Sequence, residues 1–354
     1  MKLKFDGARI SGVQLILPKR EIAFDSEMDD YNFTSAQSAK LKSVMGYDRR
    51  RVVHEDVTSS DLVVAGFEAL IESGDVDPGS LDALIVVTQT PDFIMPGTSY
   101  IIHSRLPFGQ DMLCLDINQG CAGYIVGLTT AFSLVNQQNF KRVALVNVDI
   151  VSRLVGQGDR NSRPIIGDAA AITIIESDPI ADPIYGNLKV DGSGWYGFMV
   201  PAGGMKMRSS PATAIVSEDN NGNTRALDNL VMKGDAVFNF VMQSVPVMIE
   251  NLMDENKFQI SNVDNFLFHQ PNPFILKKLA SKLNIPLEKI PISLVQKYGN
   301  SSGVTIPAVL CTEFDLSYFQ QPKWICMAGF GVGLTWGSLL MRLQDLSFIE
   351  VMEV

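Results

Sequence analysis

The feature that most constrains this chain is a pattern that occurs twice. An amphipathic stretch from Ser59 to Ser73 leads through the turn-rich GDVDPGS into the strand-like LDALIVVTQT, and Asp235 to Met253 is again amphipathic and leads into VDNFLFHQ. Apolar residues at helical spacing followed by a short apolar run read as helix and then strand. Asp82 and Asp264 stand 182 positions apart in these units, while Cys121 and Asn300, each preceded by glycine, stand 179 apart. FKRVALVNVD and PKWICMAGFG extend the match, each placing a basic residue ahead of an apolar strand. A near-constant offset of about half the chain is what internal duplication produces. Helix and strand alternate in both halves, which predicts an α/β fold with mostly parallel strands buried under helices on both faces. The boundary is expected between 176 and 190, where ESDPIADPIYGN carries turn residues without periodicity; it divides the chain into residues 1–178 and 179–354.

Composition narrows the function classes. A chain of 354 residues that is 46% hydrophobic buries a large core. The N-terminus is interrupted by Asp6, Gly7 and Arg9 before any signal-like apolar stretch, and runs such as Ala83 to Val87 fall far short of the roughly 20 residues that span a bilayer. A cytoplasmic protein with no membrane span is expected. The four cysteines, at 114, 121, 311 and 326, form no CxxC pair, which argues against a disulfide framework or a metal site. A net charge of −10 argues against nucleic acid. An acidic carrier protein would meet the same repulsion and would need a local basic patch. Arg49-Arg50-Arg51, or Lys277 and Lys278 with Lys282, could supply one; each reads equally well as solvated surface.

LCLDINQGCAGYIVGLTTAFSLV reads as a strand ending near Asn118, a turn through Gly120 and a helix from about Ala122 to Phe132. Cys121 then sits at a helix N-terminus, whose partial positive charge lowers a thiol pKa, and a neighbouring histidine could share the proton. Of the three histidines, His54 and His103 read as surface or packing residues. His269 ends an apolar strand at Gln270-Pro271-Asn272-Pro273, and the carboxyl ends of such strands are where ligands bind; a packing role fits it as well. Asn300, in KYGNSSGVTIPAVL, is either a helix cap or an amide donor to an oxyanion. GFGVGLTWG, residues 329–337, lacks GxGxxG spacing and so is not a nucleotide loop; its glycines allow close backbone approach and an oxyanion-binding N–H. Cys114, Cys311 and Cys326 read as packing.

DINQGCAG, HQPN, GNSSGVTIP and GFGVGLTWG, in this order and at these spacings, make the chain resemble β-ketoacyl-ACP synthase III over nearly its full length. The resemblance implies a thiolase-like fold of two duplicated α/β halves in five αβαβα layers, and an obligate homodimer. It implies Cys121 as acyl-carrying nucleophile, His269 and Asn300 as the decarboxylation pair, and the backbone N–H groups of Cys121 and Val332 as oxyanion hole. The implied substrates are an acyl-CoA or acyl-ACP and malonyl-ACP, with acyl carrier protein as partner and no metal or redox cofactor. Phe93, Ile94 and Met95 fall where the family lends an acyl-pocket residue across the dimer, although ordinary interface packing would also account for them. Arg49, Arg50, Lys277, Lys278 and Asn272 are candidates for carrier or CoA docking. Three departures concern the donor: no Trp lies in Lys42–Gly46, Phe274 stands where the family's housekeeping members have Arg, and Asn239 where they have Lys. An ACP-bound or unusual acyl donor follows from these changes. The alternatives are acyl transfer from Cys121 to an alcohol or amine, and a non-catalytic carrier-binding subunit.

Overall fold

The computed structural model describes residues 1–31, 33–137 and 139–354. Two large mixed sheets organise the chain. Their strands are β1 (Lys2–Phe5), β2 (Ala8–Leu17), β3 (Ala83–Val87), β4 (Leu113–Ile117), β5 (Arg142–Asp149), β6 (Ala169–Ser177), β7 (Ile184–Val190), β8 (Asn265–Phe268), β9 (Lys323–Gly331), β10 (Thr335–Leu343) and β11 (Phe348–Glu353). The first sheet runs β11-β2-β6-β5-β3-β4 and the second β1-β7-β10-β9-β8.

The repeat is visible in the pairing. In the first sheet β2 is antiparallel to β6 and β6 to β5, whereas β5, β3 and β4 are parallel. In the second, β7 is antiparallel to β10 and β10 to β9, and β9 is parallel to β8. The aspartates that mark the repeat do the same job in each half. Asp82 Oδ2 accepts from the Arg142 N–H at 2.9 Å at the start of β5, and Asp264 Oδ2 accepts from the Trp324 N–H at 2.7 Å at the start of β9. Among the described residues the second half forms no counterpart of β4. The corresponding stretch carries Pro286 and Pro291, which cannot donate to a ladder. Each terminal strand crosses over: β11 pairs with β2, and β1 with β7.

The principal helices are α1 (Ser35–Met45), α2 (Ser59–Ser73), α3 (Thr98–Arg105), α4 (Gly123–Val135), α5 (Gly234–Glu255), α6 (Pro273–Lys282), α7 (Leu294–Tyr298) and α8 (Thr305–Glu313). α4 and α8 lie between the sheets, α2 and α3 cover the outer face of the first, and α5 and α6 that of the second, giving the αβαβα layering. β3 shows why its sequence reads as a continuous apolar run. Ala83, Ile85 and Val87 face the middle core with Leu128 and Phe132, while Leu84 and Val86 face the outer core with Leu62 and Phe67. Phe67 is fully buried, so truncation to alanine would cost about 3–5 kcal/mol.

The structure departs from the sequence reading in four places. The strands are not mostly parallel: five neighbouring pairs in the two sheets are antiparallel and four parallel, because β6 and β10 each run against both of their neighbours. The stretch taken as an aperiodic boundary contains β7, whose Ile184, Gly186 and Asn187 are buried, so the second half's first strand begins inside it. Cys114 is half-buried, not core, because β4 is an edge strand. α5 has the length and apolar composition to cross a bilayer, although its apolar residues are dispersed; it buries Val241, Val245, Met248, Ile249 and Leu252 in the core under the second sheet.

Candidate active site

The carboxyl ends of β4, β5, β8 and β9 converge on one cavity of about 580 Å³, and Cys121, His269, Asn300 and Val332 all line it. The two duplicated turns, Gly-Cys and Gly-Asn, thus meet at a shared centre.

Cys121 occupies the turn between β4 and α4. Gly120 keeps that turn close to Gln89: a Cβ on it would lie 2.1 Å from Gln89 Oε1 and would displace that side chain. From the other half Gly331 closes on the nucleophile: a Cβ on it would stand 2.5 Å from Cys121 Cβ and 2.8 Å from Sγ. This approach brings the Val332 N–H to Sγ, where the N–H of Cys121 also points. The thiol itself differs from the expectation of a lowered pKa. Burial dominates and pushes it up to about 11; the Val332 and Cys121 N–H groups and the Ser302 hydroxyl pull it down, and the charge of Asp149 pushes it further up. α4 begins only at Gly123, so the helix end acts from two residues away and loses to desolvation.

His269 follows β8 and is buried. Its Nδ1 lies 2.7 Å from Thr305 Oγ1, and Thr305 Oγ1 donates in turn to the Ser302 carbonyl at 3.0 Å. Burial pushes the imidazole down to about 3, against a small opposing pull from the Ser302 backbone, so it is neutral at physiological pH. Asn300 Oδ1 accepts from the Ser302 N–H at 2.9 Å. This bond closes a local turn and is not a helix cap, since Ser301 holds the cap position of the short helix that follows; with the oxygen occupied, the Nδ2 hydrogens are left as donors to the cavity.

The cavity walls are mainly apolar and were not read from sequence. Leu154, Met199, Leu230 and Met232 form one side, and Phe238 and Phe274 stack at another with centroids 5.9 Å apart. Phe93, Ile94 and Met95 do not line it; they stand 62%, 75% and 80% exposed.

The docking candidates separate. Arg50 is only 3% exposed and its Nη2 donates to both Glu27 carboxylate oxygens, at 2.7 and 2.8 Å, so it is a structural residue and not a docking one. Arg49 is exposed but shared between Glu21 and Asp48. Asn272 is buried and caps α6, accepting from the Ile275 N–H at 2.9 Å, which replaces a surface role with a place in the cavity wall. Lys277 and Lys278 are exposed on α6. His54 is exposed, and His103 bonds the Gly109 carbonyl away from the cavity. Among the described residues no cluster of His, Cys, Asp or Glu is placed to hold a metal ion.

Three residues that sequence reasoning passed over complete the site. Thr305 holds the His269 ring, and Ser302 links Asn300 and Thr305. Asp149, at the end of β5, is buried and accepts from the N–H groups of Gln89 at 2.8 Å and Gly303 at 3.4 Å. The available signal was position: Asp149 ends the strand of the FKRVALVNVD repeat unit, where its counterpart runs into the glycines of GFGVG.

The sequence and the fold both match known proteins. Residues 115–192 match the family model described as 3-oxoacyl-[acyl-carrier-protein (ACP)] synthase III, and residues 253–343 match the model of that family's C-terminal part. The first contains Cys121 and the second His269, Asn300 and Val332. The chain is 31% identical to a Campylobacter jejuni protein over 98% of its own length and 97% of the relative's. It is 30% identical to a β-ketoacyl-[acyl-carrier-protein] synthase III of Streptococcus suis, over 95% and 99% of the two chains. A crystal structure of a 3-oxoacyl-(acyl-carrier protein) synthase from Burkholderia xenovorans superposes with a TM-score of 0.92 at 30% identity, covering 100% of this chain and 99% of that one.

Proposed function

Because the chain belongs to the 3-oxoacyl-ACP synthase III family, we propose that it condenses a Cys121-bound acyl group with malonyl-ACP to give a 3-oxoacyl thioester. The observation that carries this reading is the meeting of Cys121, His269 and Asn300, with two N–H donors on Sγ, in one apolar cavity.

In the first stage the Cys121 thiolate attacks the acyl thioester carbonyl, the Cys121 and Val332 N–H groups hold the tetrahedral oxyanion, and the donor thiolate leaves. In the second, the malonyl thioester carbonyl lies against the Asn300 amide and His269 Nε2. For Nε2 to donate, Nδ1 must accept, and the Thr305 hydroxyl at 2.7 Å supplies that hydrogen by turning from the Ser302 carbonyl. A neutral imidazole suits this role, since it donates without having to lose a charge. Loss of CO₂ leaves an enolate held by these two donors; its carbon attacks the acyl-Cys121 carbonyl, and the acyl C–S bond breaks to release the 3-oxoacyl thioester and the Cys121 thiolate. The residues supply every step, and we assign no metal or redox cofactor.

The apolar walls and the Phe238–Phe274 stack, where a phosphate-binding Arg would be expected, favour a donor bound through its acyl chain and carrier arm rather than through CoA phosphates. Lys277 and Lys278 on α6, beside Phe274, are the proposed carrier-docking face. A homodimer is proposed from the open edge of β4, which leaves backbone groups unpaired, and from Phe93, Ile94 and Met95 on the exposed loop leading to α3. The division into residues 1–178 and 179–354 is proposed as the line between the duplicated halves, and a cytoplasmic location follows from carrier-dependent chemistry.

The test is CO₂ release from malonyl-ACP by acyl-loaded enzyme. Release coupled to a 3-oxoacyl product supports condensation. Acyl loading with no CO₂ release, and transfer instead to an alcohol or amine, would overturn it; the named relatives do not favour that alternative.

A further inference from the structure

A second pocket, of about 230 Å³, lies on the reverse side of the wall that encloses the active-site cavity. Its lining brings four arginines together, Arg20, Arg50, Arg153 and Arg163, with Glu55 and Ser152 among them. No residue lines both spaces, yet they share two segments. Val151 and Leu154 line the cavity while Ser152 and Arg153 line the pocket, and Ile165 and Ile166 line the cavity while Arg163 lines the pocket.

In a chain of net charge −10, four guanidinium groups around one small space stand out, and their compensation is incomplete. Arg50 and Arg163 share the single carboxylate of Glu27. Arg153 turns its Nη2 to three neutral carbonyls, those of His54, Glu55 and Val57, at 2.8, 2.6 and 2.5 Å. Arg20 is exposed, and among the described residues its side chain makes no hydrogen bond or ion pair. Glu55, also exposed, is the one carboxylate in the lining. Asp168 lies behind Ser152, with its oxygens taken up by the Ser152 N–H and hydroxyl and by the Val53 N–H. Four positive charges thus face three negative ones, two of them already committed. A net positive pocket with unused guanidinium N–H groups binds oxyanions through charge-assisted, forked hydrogen bonds.

We propose that this pocket binds a free phosphate-type oxyanion between Arg20, Arg153 and Arg163, and that the anion steadies the segment that holds Asn300. Arg163 stands two residues ahead of Ile165, whose carbonyl accepts from the Asn300 N–H at 2.7 Å, and the Gly167 N–H donates to the Asn300 carbonyl at 3.1 Å. Asn300 therefore hangs by its backbone from a segment that lines the pocket. Gly299 leaves that joint no slack: a Cβ on it would stand 2.9 Å from both Arg50 Cβ and Gly167 Cα. An anion that ties Arg163 to Arg20 and Arg153 favours the ordered wall, as any ligand of the folded state does. The link to the reaction, and only that part, rests on the reading of Asn300 as a decarboxylation residue. The phosphates of CoA share the anion's chemistry, but a donor with its thioester at Cys121 occupies the cavity, across the wall; the occupant assigned here is the free anion.

The test is thermal unfolding and amide hydrogen exchange with inorganic phosphate, at an ionic strength held constant with chloride. It compares the native protein with Arg20→Glu, a change at an exposed side chain outside the active site. Phosphate should raise the native unfolding temperature saturably, and Arg20→Glu should weaken its apparent affinity at least about tenfold, the worth of one charge-assisted hydrogen bond. Exchange of the Asn300 and Gly167 amides should slow with phosphate in the native protein and not in the variant. No saturable rise, or equal affinity in the variant, overturns the site; unchanged exchange at both amides overturns the link to Asn300. Displacement of phosphate by CoA would assign the pocket to a CoA phosphate and overturn the free anion. If phosphate binds and slows exchange while Asn300→Asp decarboxylates malonyl-ACP normally, the anion site stands and the reading of Asn300 fails.

Discussion

The amide of Asn300 is oriented by its own turn: the Ser302 N–H donates to Asn300 Oδ1 at 2.9 Å, so the oxygen is occupied and the Nδ2 hydrogens are left for the cavity. The arrangement gives Asn300 a donor's role in the decarboxylation half of the reaction.

Asn300→Asp keeps an oxygen for Ser302 but replaces the donor with an acceptor. Malonyl decarboxylation should fall by about 10²–10³-fold, the usual cost of one oxyanion donor. Acylation of Cys121, followed by mass, should persist; equal loss of both steps would show that Asn300 serves the acyl-transfer oxyanion instead.

Thr305→Val preserves shape and removes the hydroxyl that holds His269 Nδ1. A stability loss of about 1–3 kcal/mol is expected from the polar groups left unpaired. Condensation should drop more than acyl loading does, and nitrogen NMR of the imidazole should show a change in tautomer population. An unchanged tautomer would rule out this use of Thr305.

Gly331→Ala places a methyl group against Cys121 Cβ and Sγ. Acylation should become at least about a hundredfold slower, a barrier increase of about 2.7 kcal/mol, because Val332 can no longer approach the sulfur. Native-like acylation of this variant would separate Val332 from the oxyanion hole.

Arg50→Met removes one partner of a buried pair and leaves Glu27 with only Arg163 as counter-charge. The expected cost at neutral pH is about 3–5 kcal/mol. Burial tends to raise the Glu27 pKa, but Arg50, Arg163 and the Tyr31 hydroxyl outweigh it and hold the carboxyl below its ordinary value. A lowered folded-state pKa means that this stabilisation is present above the unfolded carboxylate range and is lost as pH falls through the folded value. The variant's deficit in thermal unfolding should therefore be largest at neutral pH and shrink on acidification; a deficit independent of pH would assign Arg50 a packing role only.

What was legible in the sequence was whatever depends on local pattern. The repeat, the helices α2 and α5, and the strand-to-turn positions of Cys121 and His269 all follow from periodicity and from glycine or proline at a fixed place. β7 was missed because Pro179 and Pro183 precede it and its exposed residues break the apolar run. The cavity walls were missed because residues 198–232 form only two-residue strands, so Met199, Leu230 and Met232 reach the site by tertiary folding and not by period. Arg50 misled for the same reason. Nothing near an Arg-Arg-Arg run announces that its middle member is neutralised by Glu27, 23 positions away. Ser302 carried a legible position, two residues after Asn300, but its left-handed backbone and its bonds to Asn300 and Thr305 exist only in the fold.

The central claim is that Cys121 carries an acyl group on the way to a condensation product. Its most direct measurement is intact mass after incubation with a panel of acyl-CoAs and acyl-ACPs, followed by addition of malonyl-ACP, on the native protein and on Cys121→Ala. The account predicts a single acyl adduct that requires Cys121 and disappears on addition of malonyl-ACP as a 3-oxoacyl-ACP forms. No adduct from any donor, or an adduct that survives malonyl-ACP unchanged, would contradict it.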